Sequence, residues 1–219
     1  MHSRIQFMEE LSRLHHDILS MGTRVGENLA KALEALRSGD AALADEARAG
    51  DGAVDAMQVT IEDRAAVLIA TQQPVAGDLR ELVAVFKLTE HLERIGDYAS
   101  HLAKAAKRLA KEPYPRSLAP LESMAELEIA MIRDAVAAFL NRDSELARAC
   151  ALKDDEVDAS HKAFLEEALD FVRENPEKAQ QGMRLIRASA WLERLGDHVT
   201  NICEAVVFMV EGRHVELNE

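Results

Sequence analysis

The sequence contains few of the residues that interrupt helices or form disulfide frameworks. Its 219 residues include 10 glycines, 5 prolines and 2 cysteines, and aromatic side chains make up only 4%. Alanine, leucine and glutamate are abundant instead, which is the usage of a helical protein. Cys150 and Cys203 have no CxxC spacing, so we expect free thiols in a reducing compartment and no disulfide.

Basic residues are also scarce, because 26 lysines and arginines stand against 39 acids and leave a net charge of −13. This balance argues against nucleic acid as a partner and suits cations or basic protein surfaces. The longest apolar runs, residues 65–70 and 205–210, are far shorter than the roughly 18 residues of a membrane span. No signal-peptide core precedes them. We therefore expect a cytoplasmic protein without direct membrane insertion, which reaches the inner face of a membrane only through partners.

Motifs of the common enzyme classes are absent from the sequence. It contains no P-loop, no GxGxxG after a strand, no GxSxG and no HExxH. The Glu-x-x-His signature of di-iron helical bundles is missing as well. These absences favour a regulator or adaptor over an enzyme.

Hydrophobic periodicity predicts six helices in two groups of three. Asp40 and Asp143 are positioned to cap the second and fifth helices, and Gly212 to end the sixth. Asn175, which precedes Pro176, is expected to cap the start of the sixth. The predicted helices cover about residues 3–37, 41–71, 75–111, 121–140, 144–174 and 176–211.

The densest cluster of helix breakers is PYPRSLAP at residues 113–120, which we interpret as a linker. It separates a first unit, residues 1–112, from a second unit, residues 121–219. The units share sequence, since LERIGD at residues 92–97 recurs as LERLGD at residues 192–197. We therefore predict an all-α fold of two tandem, pseudo-symmetric three-helix bundles that arose by duplication.

Each unit contains two pairs of acids with i, i+4 spacing. Such side chains are neighbours on a helix, and their like charges repel. Helical phase places the acids of the repeated phrase roughly 140–180° from the apolar seam of their helix, so we expect them to face outward. Both pairs of a unit lie roughly 30 Å from the intervening turn, which would bring four carboxylates together. The pairs are Asp51/Asp55 and Glu93/Asp97 in the first unit, and Asp154/Asp158 and Glu193/Asp197 in the second.

Four crowded carboxylates bind cations or take up protons, so we predict one polycarboxylate metal site in each unit. Oxygen ligands favour Mg, Mn, Fe or Ca; Zn more often takes His or Cys and is the less expected ion. His101 and Asn201 follow the acids by one turn, and either join the sites or, as we favour, donate hydrogen bonds to the carboxylates. In the alternative interpretation the pairs are solvated surface acids that Arg94 and Arg194 neutralise.

Three stretches resemble the PhoU family, and the resemblance covers essentially the whole chain. They are QPVAGDLR at residues 73–80, LERIGDYASHLAK at 92–104 and LERLGDHVTNICEAVVFMVEG at 192–212. The resemblance implies two symmetric three-helix bundles with metal clusters on the eight acids named above. It also implies a cytoplasmic negative regulator of phosphate uptake and phosphate-starvation signalling, often a homodimer. Such proteins link the ATPase subunit of the phosphate ABC transporter to the sensor histidine kinase.

The leading hypothesis is thus a phosphate-responsive adaptor whose metal sites organise a surface for its partners. The second site is expected to hold metal more tightly, because it has DDEVD where the first has DGAVD. Two alternatives stay open. The acids could serve a metal-dependent hydrolase or redox enzyme, or the chain could be a metal-free helical scaffold or chaperone.

Overall fold

The structure, a computed structural model, describes residues 2–111 and 114–217 of the chain. Residue 112, the expected end of the first unit, and residue 113, the expected start of the linker, lie outside these ranges. The described residues form eight α-helices and a 3₁₀ turn at Pro176–Lys178, without strands, which confirms the all-α fold. None of these helices is long and apolar enough to cross a membrane. The helices are α1 (His2–Ser38), α2 (Ala41–Ala49), α3 (Asp51–Gln72), α4 (Ala76–Leu109), α5 (Ala119–Asn141), α6 (Ser144–Ala151), α7 (Asp154–Glu174) and α8 (Ala179–Glu211).

The predicted second and fifth helices are each present as a short segment followed by a long one. The first of these breaks lies at Gly50, between α2 and α3. A Cβ atom on Gly50 would lie 2.3 Å from Oδ1 of Asn28, so the buried Asn28 side chain of α1 occupies the space beside the break. The second break, at Leu152 and Lys153, separates α6 from α7. Each repeat therefore has the three predicted helices in order, with the middle one divided into a short and a long segment.

Local signals end and begin the helices much as the sequence predicts. Asp40 accepts hydrogen bonds from the amides of Ala42 and Leu43, and Asp143 caps α6 in the same way. Gly212 ends α8 with a left-handed φ of 74°. Asn175 precedes a helical turn that begins with Pro176, as predicted, but this turn is 3₁₀ and the Asn175 side chain does not cap it, since its Nδ2 donates to the carbonyl of Phe171 at 3.0 Å.

One continuous core joins the two repeats, because α4 packs along α8 and α1 packs along α5. Apolar residues at heptad spacing form the α4 and α8 seams. The central seam residues are at most 1% exposed: Leu88, Leu92, Ile95, Ala99 and Leu102 on α4, and Ala188, Leu192, Leu195, Val199 and Ile202 on α8. These seams fix the rotation of both helices, and therefore the direction in which their acids point.

Polar contacts also connect the repeats. Glu81 of α4 is buried and accepts hydrogen bonds from Nε2 of His15, at 2.7 Å, and from Arg142 at the end of α5. Where α4 meets α8, Nδ1 of His91 lies 3.0 Å from Nδ1 of His198. Burial, followed by the charge of His198, lowers the pKa of His91 to about 4, so His91 is neutral at physiological pH. The repeats are held by this polar layer as well as by the core.

Replacing Glu81 with alanine is expected to lower the free energy of unfolding by about 2 kcal/mol, because it leaves the partners of a buried carboxylate without their acceptor. Urea unfolding followed by circular dichroism measures this change. The matched control is Asp45→Ala, which removes an exposed partner of Lys107 and should cost clearly less. Equal losses in the two variants would contradict the assigned role of Glu81.

Candidate functional site

The four acids predicted for the first repeat come together where α3 packs against α4. We call Asp51, Asp55, Glu93 and Asp97 the first cluster. Partial burial raises the pKa of Asp51, and the charges of Asp97 and Asp55 raise it further. Burial and then the charge of Asp97 likewise raise the pKa of Glu93. The side chains are therefore close enough to repel one another, as the turn count predicts.

Arg94 opposes part of this repulsion. Its Nε lies 3.5 Å from Oε2 of Glu93, and its NH1 lies 3.2 Å from Oδ2 of Asp97. The guanidinium side chain is 55% exposed, so water and salt screen both contacts. Neutralisation by arginine is thus present in the first cluster, but the pKa of Glu93 stays raised in spite of it.

The second cluster consists of Asp154, Asp158, Glu193 and Asp197. Three of its members line one surface depression with Asn201, and Asp154 lies beneath them. Burial and then the charge of Asp197 raise the pKa of Glu193, while burial and then Asp158 raise that of Asp197. The exposed Lys162 reaches Asp158 at 3.4 Å.

Asp154 is only 2% exposed, although the acids of the repeated phrase, with which it clusters, are expected to face outward. The reason is Gly196 of the LERLGD phrase. A Cβ atom at this position would lie 2.1 Å from Oδ1 of Asp154, so the bare backbone of α8 gives the carboxylate its space. At Gly96 the corresponding distance to Oδ1 of Asp51 is 3.7 Å, an ordinary contact. The repeated glycine therefore has a different consequence in each repeat.

Sequence reasoning missed Glu128 of α5, which is fully buried beside the second cluster. Burial raises its pKa well above the ordinary value, and the charges of Asp154, Cys150 and Asp197 add to the effect. Neither of its carboxylate oxygens has a hydrogen-bond partner among the described residues. The sequence feature that could have revealed Glu128 is its position as an acid within an apolar seam, which consists of Leu121, Met124, Ala125, Met131 and Ile132.

The two cysteines also meet near this place, although their spacing gives no sign of it. Cys150 and Cys203 are buried free thiols in hydrogen-bond contact, and Sγ of Cys150 donates to the carbonyl of Met131 at 3.3 Å. Hydrogen bonding to Cys150, followed by burial, raises the pKa of the Cys203 thiol. Cys203 is therefore packed as a neutral thiol.

The predicted hydrogen-bond donors take other partners. Nδ2 of Asn201 donates to the backbone carbonyl of Asp197 at 2.9 Å, although the side chain does border the second cluster. The ring of His101 packs against Trp191 with centroids 5.2 Å apart, and its charge acts on Asp51. Neither residue is placed as a ligand by these contacts.

Among the described residues, no group of three or more His, Cys, Asp or Glu side chains is arranged to hold a metal ion as it stands. The chemistry of the donors nevertheless suits a cation that prefers oxygen, because each cluster offers carboxylates. The orphaned carboxylate of Glu128 and the space at Gly196 suit such an ion in the second repeat. Binding would require the side chains to turn toward the ion.

The raised carboxyl pKa values predict that the two clusters of the cation-free protein contribute less stability as pH rises. The folded state keeps protons that the unfolded chain releases near the ordinary values of 3.8 for Asp and 4.5 for Glu. The contribution of these acids to the free energy of unfolding therefore falls from that pH upward until the folded acids have ionised, whereas the lowered pKa values of His91 and His198 act in the opposite direction. Urea unfolding of the wild type and of the double variant Glu193→Gln, Asp197→Asn, with a chelator and from about pH 4 to about pH 8, isolates the contribution of the acids as the difference between the two proteins. The wild type should lose stability relative to the variant across this interval, and a constant or opposite difference would contradict the assignment.

Comparison with known proteins finds relatives along the whole chain. A family model described as the PhoU domain matches residues 18–106 and again residues 121–206. The phosphate-specific transport system accessory protein PhoU homolog of Clostridium acetobutylicum is 34% identical over 214 residues, which cover 97% of this chain and 98% of that protein. The PhoU homolog of Pseudomonas aeruginosa is 34% identical over 220 residues, with coverages of 99% and 91%.

Solved structures agree with these relatives. The crystal structure of PhoU from Pseudomonas aeruginosa matches with a TM-score of 0.91 and 33% identity, over 94% of this chain and all of that one. The phosphate transport system regulatory protein PhoU from Streptococcus pneumoniae matches with a TM-score of 0.89 and 31% identity, over 95% of this chain and 99% of that one. The chain therefore belongs to the PhoU family.

Proposed function

We propose that this protein is a cytoplasmic negative regulator of phosphate uptake and phosphate-starvation signalling. In this proposal it acts as an adaptor between the ATPase subunit of a phosphate ABC transporter and a phosphate-sensing histidine kinase. A role in the regulation of phosphate transport is supported by the names of its relatives, which describe accessory and regulatory proteins of phosphate transport. The protein is accordingly an accessory protein and not an enzyme, so the hydrolase and redox alternatives are set aside.

The observation that carries the proposal further is the presence of one carboxylate cluster in each repeat, with pKa values raised by burial and mutual charge. A bound cation from the set Fe, Mn, Mg, Ca or Zn would neutralise these acids and offer open positions to phosphate or to a partner's carboxylate. Neutralised acids would hold α3 to α4, and α7 to α8, in one arrangement. That arrangement is the proposed docking surface, and a homodimer is its proposed assembly.

A pull-down from phosphate-replete and phosphate-starved cells tests the adaptor role. The wild-type bait is expected to recover the transporter ATPase subunit and the histidine kinase. The variant Glu93→Gln, Asp97→Asn, Glu193→Gln, Asp197→Asn should lose them, because its clusters no longer hold a cation. Four exposed acids that belong to neither cluster, Glu9, Glu27, Glu34 and Glu177, give a control variant of equal charge when changed to glutamine. Recovery of neither protein by the wild type would contradict the proposal.

Removal of metal tests the clusters themselves. Chelation of the purified protein should lower the Tm, and added Mn²⁺ should restore it, because a ligand of the folded state stabilises it by mass action. The four-acid variant should respond to neither treatment, whereas the exposed-acid control should respond like the wild type. A wild-type Tm that ignores both treatments would count against metal binding.

A metal-free helical scaffold is the second candidate. It is favoured by one observation, that in the described part of the chain no three His, Cys, Asp or Glu side chains are grouped to hold a metal ion. For this function, metal removal should change neither the Tm nor the recovery of partners. The two experiments above therefore separate the candidates.

A further inference from the structure

Glu128 lies at a position where a helical bundle ordinarily has an apolar side chain. Buried positions of α1 recur on α5 after 103 residues, and by this register Glu128 corresponds to Val25. Val25 is fully buried in the first repeat, as Glu128 is in the second. The matching buried pairs that set the register are Met21/Met124, Leu29/Ile132, Ala32/Ala135 and Leu36/Phe139.

The carboxylate of Glu128 has no hydrogen-bond partner within the described residues, on either oxygen. Buried polar atoms in native proteins are nearly always bonded, and a buried carboxylate is among the most costly groups to leave alone. The ionisable groups that act on it, Asp154, Cys150 and Asp197, are all acidic. Lys153, the residue before Asp154, is engaged elsewhere, since its Nζ lies 2.7 Å from Oδ2 of Asp134. A cation from solution would supply the missing partner.

The side chain is aimed at the second cluster. The point that a Cβ atom on Gly196 would occupy lies 2.7 Å from Oε1 of Glu128 and 2.1 Å from Oδ1 of Asp154. Two carboxylate oxygens from α5 and α7 therefore converge beside the bare backbone of α8. In the first repeat the nearest atom to the same point on Gly96 is Cγ1 of Val54, at 3.4 Å. The convergence is a feature of the second repeat.

We infer that Glu128 is a further ligand of the second cluster and that, with Asp154, it forms an inner cation site for an oxygen-preferring divalent ion. The inference rests on the cation binding proposed above. It adds Glu128 as a ligand and gives a second reason for the expected difference in affinity between the clusters. Buried carboxylates bind such ions with little competition from water. The second cluster should therefore bind the ion more tightly than the first. This effect comes from the buried Glu128 and Asp154 and does not depend on Asp155 and Glu156, the additional exposed acids of DDEVD.

Mn²⁺ titration of the full chain in two site-isolating backgrounds tests this inference. Glu93→Gln, Asp97→Asn leaves the second cluster, and Glu193→Gln, Asp197→Asn leaves the first. In the background with the second cluster, Glu128→Gln should weaken Mn²⁺ binding more than about tenfold, because a ligand is lost. In the other background it should leave the affinity unchanged. Calorimetry or the electron paramagnetic resonance signal of free Mn²⁺ gives the Kd.

A glycine pair supplies a second variant that keeps every carboxylate. Gly196→Ala places a methyl group where the Glu128 and Asp154 oxygens converge, so Mn²⁺ binding to the second cluster should weaken. Gly96→Ala meets only ordinary contacts and should leave the first cluster's affinity nearly unchanged. Circular dichroism and the Tm of the metal-free variants check that each one folds. The binding readout, which needs no partner protein, is the rise in Tm on adding Mn²⁺, and this rise should be smaller for Gly196→Ala.

The outcomes separate the two proposals. If Mn²⁺ binds neither cluster of the wild type, cation binding and the role of Glu128 both fail. If Glu128→Gln leaves the Kd of the second cluster unchanged, or if that cluster binds no more tightly than the first, the role of Glu128 fails and the proposed function stands.

Discussion

In each repeat, carboxylates on neighbouring helices repel one another, and the packing of the rest of the repeat holds them together. The apolar seams of α4 and α8 pack against the bundle and against each other, so the acid-bearing faces of these helices cannot rotate away. The remaining acids lie at the start of α3 and α7, level with the acids of α4 and α8 along the bundle. Burial and mutual charge then raise the carboxyl pKa values. The folded core holds together groups that would separate on their own, and proteins tolerate such local cost mainly where a site needs it.

What could be predicted from the sequence depended on local geometry. Asp40 caps its helix because the carboxylate and the amides it binds lie within three residues of each other. The meeting of the acid pairs followed from helix rise and the position of a turn. The burial of Asp154 depends on Gly196, which belongs to another helix, and the side chain of Asn175 bonds to the carbonyl of Phe171 in the preceding helix instead of capping the turn that follows. From the sequence, Glu128 could be recognised only as an acid that interrupts an apolar seam. Its proximity to the second cluster became apparent only from the side chains that face it across the bundle.

The segments that carry the family resemblance have two separate tasks in the structure. The LERxGD phrases place acids on α4 and α8. QPVAGDLR and the residue after it join the repeats, because Nε of Arg80 donates to the carbonyl of Met209 at 3.3 Å and Glu81 pairs with Arg142. Both clusters thus lie partly on α4 and α8, two helices that pack together and that His91 and His198 also connect. Duplication has kept this frame while the surroundings of the acids have diverged, from Val54 beside Gly96 to Asp154 beside Gly196.

The central claim is that each carboxylate cluster is a cation site. Anomalous X-ray diffraction from crystals equilibrated with Mn²⁺ tests it most directly, because the scattering reports the ion's position and identity together. The account predicts one anomalous peak or group of peaks among the acids of each repeat, with the carboxylate of Glu128 turned toward the peak in the second. Anomalous maps without peaks at either cluster, with Arg94 and Lys162 still paired to the acids, would contradict it.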